Sequence, residues 1–367
     1  MLYRLFLLCS LFFLLLTCTE QVEPVIQFEE GFLLVNGRLA DRAGVSEVTV
    51  LRNENNGLNS NPSPVNGARV FSIADGGGET RWESSGTQGR FVPPPGWVAE
   101  RGVAYHVRIE TPAGEVIEST PERLATTVEI DSLSVQFEQE AYFSESRDRF
   151  VPAFRLLVNY RDPAGERNYY QYRTQAFEEI DICAFCERSV YRNGECIATE
   201  GSRFVARYDY RCDSRCWRTR LLGVATTFSD EFTDGTQVNA LPAARVDYQR
   251  PGGLLFVLQQ FSISRAAFEY NSIIQNLVEG AGGLNAPLPA ALIGNLQDVS
   301  NEGTTVLGFV GTAAVTERRR YIVQESFGGL PLPFDNIPRL EPLIPAPPRA
   351  PCTGGNRTAT KPEGWPD

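Results

Sequence analysis

A chain of 367 residues with a formal net charge of −11, 42% hydrophobic and 11% aromatic residues, carries enough apolar mass for two ordinary cores and is not a disordered sequence. Its acidic balance leaves no electrostatic footprint for nucleic acid and gives an anionic lipid surface nothing to attract. A single histidine, His106, removes the base that most Ser-His-Asp, Cys-His and catalytic zinc sites require.

Residues 1–17 read as a cleavable signal, with Arg4 as a positive start and Leu5 to Leu16 as a compact apolar run. A bilayer-spanning helix needs about 20 apolar residues, so this run is too short to serve as one. It ends in Leu15-Leu16-Thr17-Cys18, the grammar of a bacterial lipobox: cleavage before Cys18, then acylation of its sulfur and new amino group. Several acyl chains on one residue anchor stably, because each buried methylene adds about 0.8 kcal/mol. Residues 18–30 then form a polar, lipidated tether carrying Glu20, Glu23, Glu29 and Glu30. With an acidic body, Cys18 is the expected means of attachment. Early glutamates also fit display on the outer face.

Residues 31–124 predict a small immunoglobulin-like β-sandwich. Short strand candidates are Phe32–Leu39, Ser46–Arg52, Gly67–Ile73, ETRWES, GRFV and Ala104–Glu110, with clear alternation at Val48, Val50 and at Tyr105, Val107, Ile109. Turn chemistry separates them at Asn66-Gly67, Asp75-Gly76 and Thr111-Pro112-Ala113-Gly114. His106 falls on the solvent-facing phase of its strand.

Residues 126–345 predict a larger β-rich domain. Phe154–Tyr160 and NYYQYRTQAF flank Asp162-Pro163-Ala164-Gly165, whose Pro and Gly suit a type I turn, so a hairpin is expected there. Leu254–Ile263 is expected as a central strand. One short helix stands out: Ser264 caps it, Ala267, Tyr270, Ile274 and Leu277 share a face, and Gly280 stops it. The fold class is therefore mainly β with one helix, closed by a proline-rich tail over 346–367.

Six cysteines remain once Cys9 leaves with the signal and Cys18 takes lipid: Cys183, Cys186, Cys196, Cys212, Cys216 and Cys352. In an exported chain an even count reads as disulfides. They would staple an excursion over 181–217 that has little hydrophobic periodicity, with Cys352 clipping the tail back onto the body. Zinc at Cys183-x-x-Cys186 and Cys212-x-x-x-Cys216, or a redox pair, are the alternatives; the oxidising compartment and the lack of a βαβ context weigh against them.

Two carboxylate groups are the other chemistry-bearing residues: Glu178, Glu179 and Asp181, and Asp230, Glu231 and Asp234. They could serve a glycosidase-like pair, and Asp230-x-x-x-Asp234-Gly235 could hold calcium, but acidic loops are ordinary in an acidic protein. Tyr169, Tyr170, Tyr172, Tyr208 and Tyr210 could stack on a ligand, yet their period-2 spacing also fits sheet faces. Lys361 is the only lysine among 34 basic residues; so uniform a use of arginine reflects nucleotide composition and carries no functional weight. No catalytic, cofactor-binding or metal-ligating residue is assigned.

The order of LLVNGRL, PVNGARVFSI, YHVRIETPAGEVIESTPE, YRDPAGERNYYQYR, FSDEFTDGTQV, FSISRAAFEYNSIIQNLVEGAGGLNAPLPAALIGNLQ, VLGFVGTAAV and the ending CTGGNRTATKPEGWPD resembles a family of Bacteroidota lipoproteins catalogued as domain of unknown function 4249. That resemblance implies an exported, lipid-anchored outer-membrane protein encoded near TonB-dependent receptors, with no catalytic residues to carry over. The expected function is a non-enzymatic accessory or binding subunit of such a receptor in nutrient uptake, without a cofactor. A surface structural or adhesion protein is the alternative, and a carboxylate-dependent envelope enzyme the least favoured.

Overall fold

Alternation of apolar and polar residues, with a period of two, builds the first half of the molecule. The computed structural model describes residues 31–53, 62–87, 89–182, 190–192, 195–197, 214–280, 292, 294–300, 303–333, 352 and 356–367. The signal over 1–17, Cys18 and its tether, and Cys183, Cys186 and Cys212 lie outside these residues, as does the side chain of Cys196.

Among the described residues, nine strands cover the N-terminal region: β1 (Leu33–Ala40), β2 (Glu47–Asn53), β3 (Pro62–Pro64), β4 (Arg69–Ala74), β5 (Glu79–Ser84), β6 (Arg90–Val92), β7 (Ala104–Glu110), β8 (Val116–Ser119) and β9 (Glu122–Arg123). They form a sandwich. Leu33, Val35, Val48 and Val50 from one leaf meet Val70, Val107, Ile109 and Ile117 from the other, all without solvent access. Trp82 closes one end of this core, stacking edge-on against Trp97 at 5.7 Å and donating its indole N–H to Ser72 Oγ at 3.0 Å. Each such buried aliphatic side chain contributes about 1.5–3 kcal/mol, which is why the alternation determines the leaf faces. On β7, Tyr105, Val107 and Ile109 point inward and His106 takes the outward phase.

The second region adds β10 (Ile130–Ser144), β11 (Arg149–Arg161), β12 (Tyr169–Ile182), the small hairpin β13 (Val190–Arg192) and β14 (Glu195–Ile197), β15 (Ser214–Ser229), β16 (Gln237–Asp247), β17 (Gly253–Ile263), α1 (Arg265–Gly280), β18 (Leu296–Asp298), β19 (Val306–Val323) and β20 (Arg357–Thr358). β10, β11 and β16 form a three-stranded sheet. β12, β15, β17 and β19 continue the large sheet, with β17 central between β12 and β19. β17 is buried along almost its whole length because both faces are covered. One face meets Phe154, Leu156 and Val158 of β11; the other meets α1, where Ala267 and Tyr270 join Phe261, Phe309 and Ala313. Ser264 caps α1 by accepting the Ala267 N–H at 3.1 Å, as its sequence pattern predicts. Among the described residues no helix is long and apolar enough to cross a membrane.

The expected hairpin across Asp162-Pro163-Ala164-Gly165 is not formed. β11 pairs with β10 and β16, whereas β12 pairs with β15 and β17. The turn is present, with Gly165 at φ +85°, but it turns the chain from one sheet into the facing one. Tyr160 and Tyr170, on either side, then stack edge-on at 5.2 Å in the core between sheets. Burying these aromatic residues favours the sheet-to-sheet corner over a two-stranded ribbon.

A parallel ladder joins the two regions. β1 pairs with β19 in register from Leu33↔Val306 to Ala40↔Ala313, while β2 flanks its other side. β18 adds to β8, and Asn295 holds Val310 through both backbone groups at 2.8 and 2.9 Å. Residues 294–313 thus return to complete the sandwich begun by 31–124.

Cys216 and Cys352 form a disulfide with Cα atoms 5.6 Å apart, which fixes the tail. β20 then pairs with β15 at Trp217 and Arg218, and Trp365 packs on Trp217 and Tyr321 at 6.2 and 5.1 Å.

Candidate functional site

The carboxylates near the cysteines occupy three different settings. Glu178 lies on β12, its side chain 1% exposed, directly across from Arg218 of β15. Its Oε2 accepts from Arg218 Nη2 at 2.5 Å and its Oε1 from Arg220 Nη2. Both oxygens are therefore engaged by guanidinium groups, which suits a fixed charge cluster and leaves little for proton transfer. Glu179 faces the other way toward Arg215 at 3.5 Å, near solvent. The side chain of Asp181 lies outside the described residues.

Asp230 and Asp234 are joined by a residue the sequence did not connect with them, Asp162. Ligand oxygens of the three lie within 4.8 Å of one another, where the β11–β12 and β15–β16 connections meet. Each accepts at least one hydrogen bond inside the protein, and among the described residues Asp230 Oδ1 is buried without a partner. Asp162 accepts from Tyr170 Oη at 2.5 Å and the Gly235 N–H at 3.3 Å, Asp230 from the Asn168 N–H at 2.8 Å, and Asp234 from the Gly165 N–H at 2.8 Å. Burial, followed by the charges of Asp230 and Asp234, raises the Asp162 carboxyl above its ordinary range despite those hydrogen bonds. Calcium takes six to eight oxygens, as a rule. Three already hydrogen-bonded aspartates read more directly as a clasp between two loops.

Tyr170 and Tyr172 are core residues, and Tyr169 packs on Phe268 of α1 at 5.0 Å. Tyr208 and Tyr210 lie outside the described residues.

The feature best built for binding is one that sequence reasoning missed. A cavity of about 290 Å³ opens on the outer face of β1, β2 and β19, roofed by α1. Arg38 reaches into it from β1. Its Nη2 donates to Gln171 Oε1 at 2.6 Å, and its guanidinium carbon lies 3.8 Å from the centre of the Phe261 ring. Glu47 stands across the ladder from Arg38 but is held by Arg90 at 2.7 Å and Arg173 at 3.7 Å. Burial, with Arg173 adding to it, brings the Arg38 guanidinium down to about 10, which Glu47 only partly opposes. Gly311, paired with Arg38 on β19, is what leaves the space open: a Cβ there would meet the Phe309 ring at 2.9 Å. Ile263, Ala267, Ile274 and Phe309 supply an apolar wall, and Asn271 and Thr49 supply polar groups.

A family profile described as Domain of unknown function (DUF4249) matches residues 19–319. No curated protein matches.

Proposed function

The chain belongs to that family, and from this premise we propose that it is a non-enzymatic, lipid-anchored binding protein of the outer membrane. In this reading it acts as the accessory subunit of a TonB-dependent receptor in nutrient uptake. Cys18 is the anchor in the lipobox that ends the N-terminal apolar run. The observation that carries the binding role is the cavity at Arg38, in which polar donors face an apolar wall. Its one lining carboxylate, Glu47, is occupied by two arginines and so is poorly placed to act as a base.

Gentle detergent extraction followed by affinity purification tests the partnership. A β-barrel receptor copurifying with the wild-type chain is the expected result, and recovery of the lipoprotein alone contradicts it. Cys18→Ala should release the protein from the membrane fraction. Retention of that variant by membranes would contradict the anchor.

A further inference from the structure

We propose that the cavity at Arg38 binds a small monocarboxylate with a short apolar body, and that Arg38 is its counter-ion. The inference deepens the binding role proposed above and rests on it.

Arg38 is a half-buried cation whose protein partners leave it incompletely answered. A guanidinium carries five N–H donors; among the described residues Arg38 makes one side-chain hydrogen bond, to the neutral Gln171, and lays its face on Phe261. The carboxylate across the ladder, Glu47, is shared between Arg90 and Arg173. Arg38 and Glu47 are the charged residues among those lining the cavity, and Glu47 is already paired outside it with Arg90 and Arg173. The chain as a whole is acidic. At physiological ionic strength, however, charges farther than about 8 Å are largely screened, so the overall acidity does not keep an anion from Arg38. A ligand carboxylate can meet the free part of the guanidinium fork through two parallel hydrogen bonds.

The rest of the cavity selects the body of that ligand. At about 30 Å³ per water in the liquid, the 290 Å³ space matches roughly ten non-hydrogen atoms. Ile263, Ala267, Ile274 and Phe309 would lie against the part remote from the charge. A phosphate would leave that wall facing water, whereas an aryl or alkyl carboxylate of this size would cover it. Glycine at position 311 suits that wall, because a Cβ beside Arg38 would meet the Phe309 ring at 2.9 Å.

The test is calorimetric titration of the full chain in detergent with phenylacetate, its neutral isostere phenylacetamide, and inorganic phosphate. Phenylacetate is expected to bind at least about tenfold more tightly than the amide, reflecting the charge-assisted pair, and phosphate is expected to bind more weakly than either. Arg38→Gln should abolish the preference for the acid, and Arg38→Lys should weaken it through loss of the fork. Asn271→Trp, placed on α1 where it lines the cavity, should block binding while leaving the arginine intact; it decides the matter if Arg38→Gln does not fold. Equal binding of acid and amide, tighter binding of phosphate, undiminished binding by Asn271→Trp, or no binding by the wild type overturns the proposal. The partnership is read separately: a chain that copurifies with a barrel but ignores phenylacetate refutes only the ligand, and one that binds phenylacetate but is recovered alone refutes only the partner.

Discussion

Arg38 and Glu178 are two charged side chains on interior strands of the same sheet, and they end in opposite states. Glu178 is answered on both oxygens by Arg218 and Arg220, and the disulfide-clipped tail pairs along β15, the strand that carries both arginines. Arg38 has a neutral partner, a carboxylate already shared by two other arginines, and an open space kept free by Gly311. The ingredients are alike. Whether such a cluster is a strut or a receptor depends on whether its charge is closed within the protein.

Breaking the tail has the largest expected effect on this contrast. The Cys216–Cys352 link spans 136 residues, and Cys352→Ser should lower unfolding stability by about 4 kcal/mol in urea denaturation. The Arg38 cavity lies across the sheet, so phenylacetate binding by the folded variant should be unchanged. Glu178→Ala should be next, losing about 3 kcal/mol in the same assay because two guanidinium groups are left facing each other. Their side chains are 23% and 20% exposed, which lets water relieve part of the cost. Arg38→Gln should change stability by less than about 1 kcal/mol, since Arg38 is only half-buried and its one side-chain hydrogen bond among the described residues goes to a neutral partner. A loss as large as that of Glu178→Ala would erase the distinction between the two sites.

The smallest effect sharpens the same contrast for carboxylates of the sandwich. Burial alone would raise the Glu115 carboxyl, but hydrogen bonds from Arg52, Thr111 and Thr304 and the charge of Arg52 outweigh it and hold it below 4.5. Burial pushes Glu122 above 4.5, with a hydrogen bond from Ser264 opposing. The signs are opposite. Glu115 contributes stability that is present above pH 4.5 and lost as pH falls through its depressed folded value. Glu122 contributes stability that is present below pH 4.5 and lost as pH rises through its elevated one. In thermal melts across this range, Glu115→Gln should reduce the acid sensitivity, and Glu122→Gln should raise the melting temperature at pH 7 with little change at pH 3.

Much of the fold was legible because it depends on local pattern. Alternation in β7 places Tyr105, Val107 and Ile109 inside and His106 outside, and the Ser264 cap with its i, i+3 apolar face defines α1. The role of Cys352 was legible from cysteine parity and its place in the tail. The β11–β12 corner was not, because turn chemistry states that the chain reverses but not whether the flanking strands pair with each other. Long-range associations were equally silent: Asp162 meets Asp230 across 68 positions (230 − 162), and β1 meets β19 from the far end of the chain. Arg38 was hidden twice over. It stands among 34 basic residues that are almost all arginine, and in LLVNGRLA it occupies what looks like an ordinary outward strand position.

The parallel ladder between β1 and β19 bears on how the body withstands pulling. Its first described strand begins at Leu33, and β1 is an interior strand with β2 on one side and β19 on the other. Ladder hydrogen bonds run across the strands, so tension along β1 loads both rows in shear at once, whereas an edge strand peeled sideways would surrender its bonds one at a time. In the lipid-anchored reading proposed above, a pull on the N-terminus is therefore carried by a strand paired on both sides.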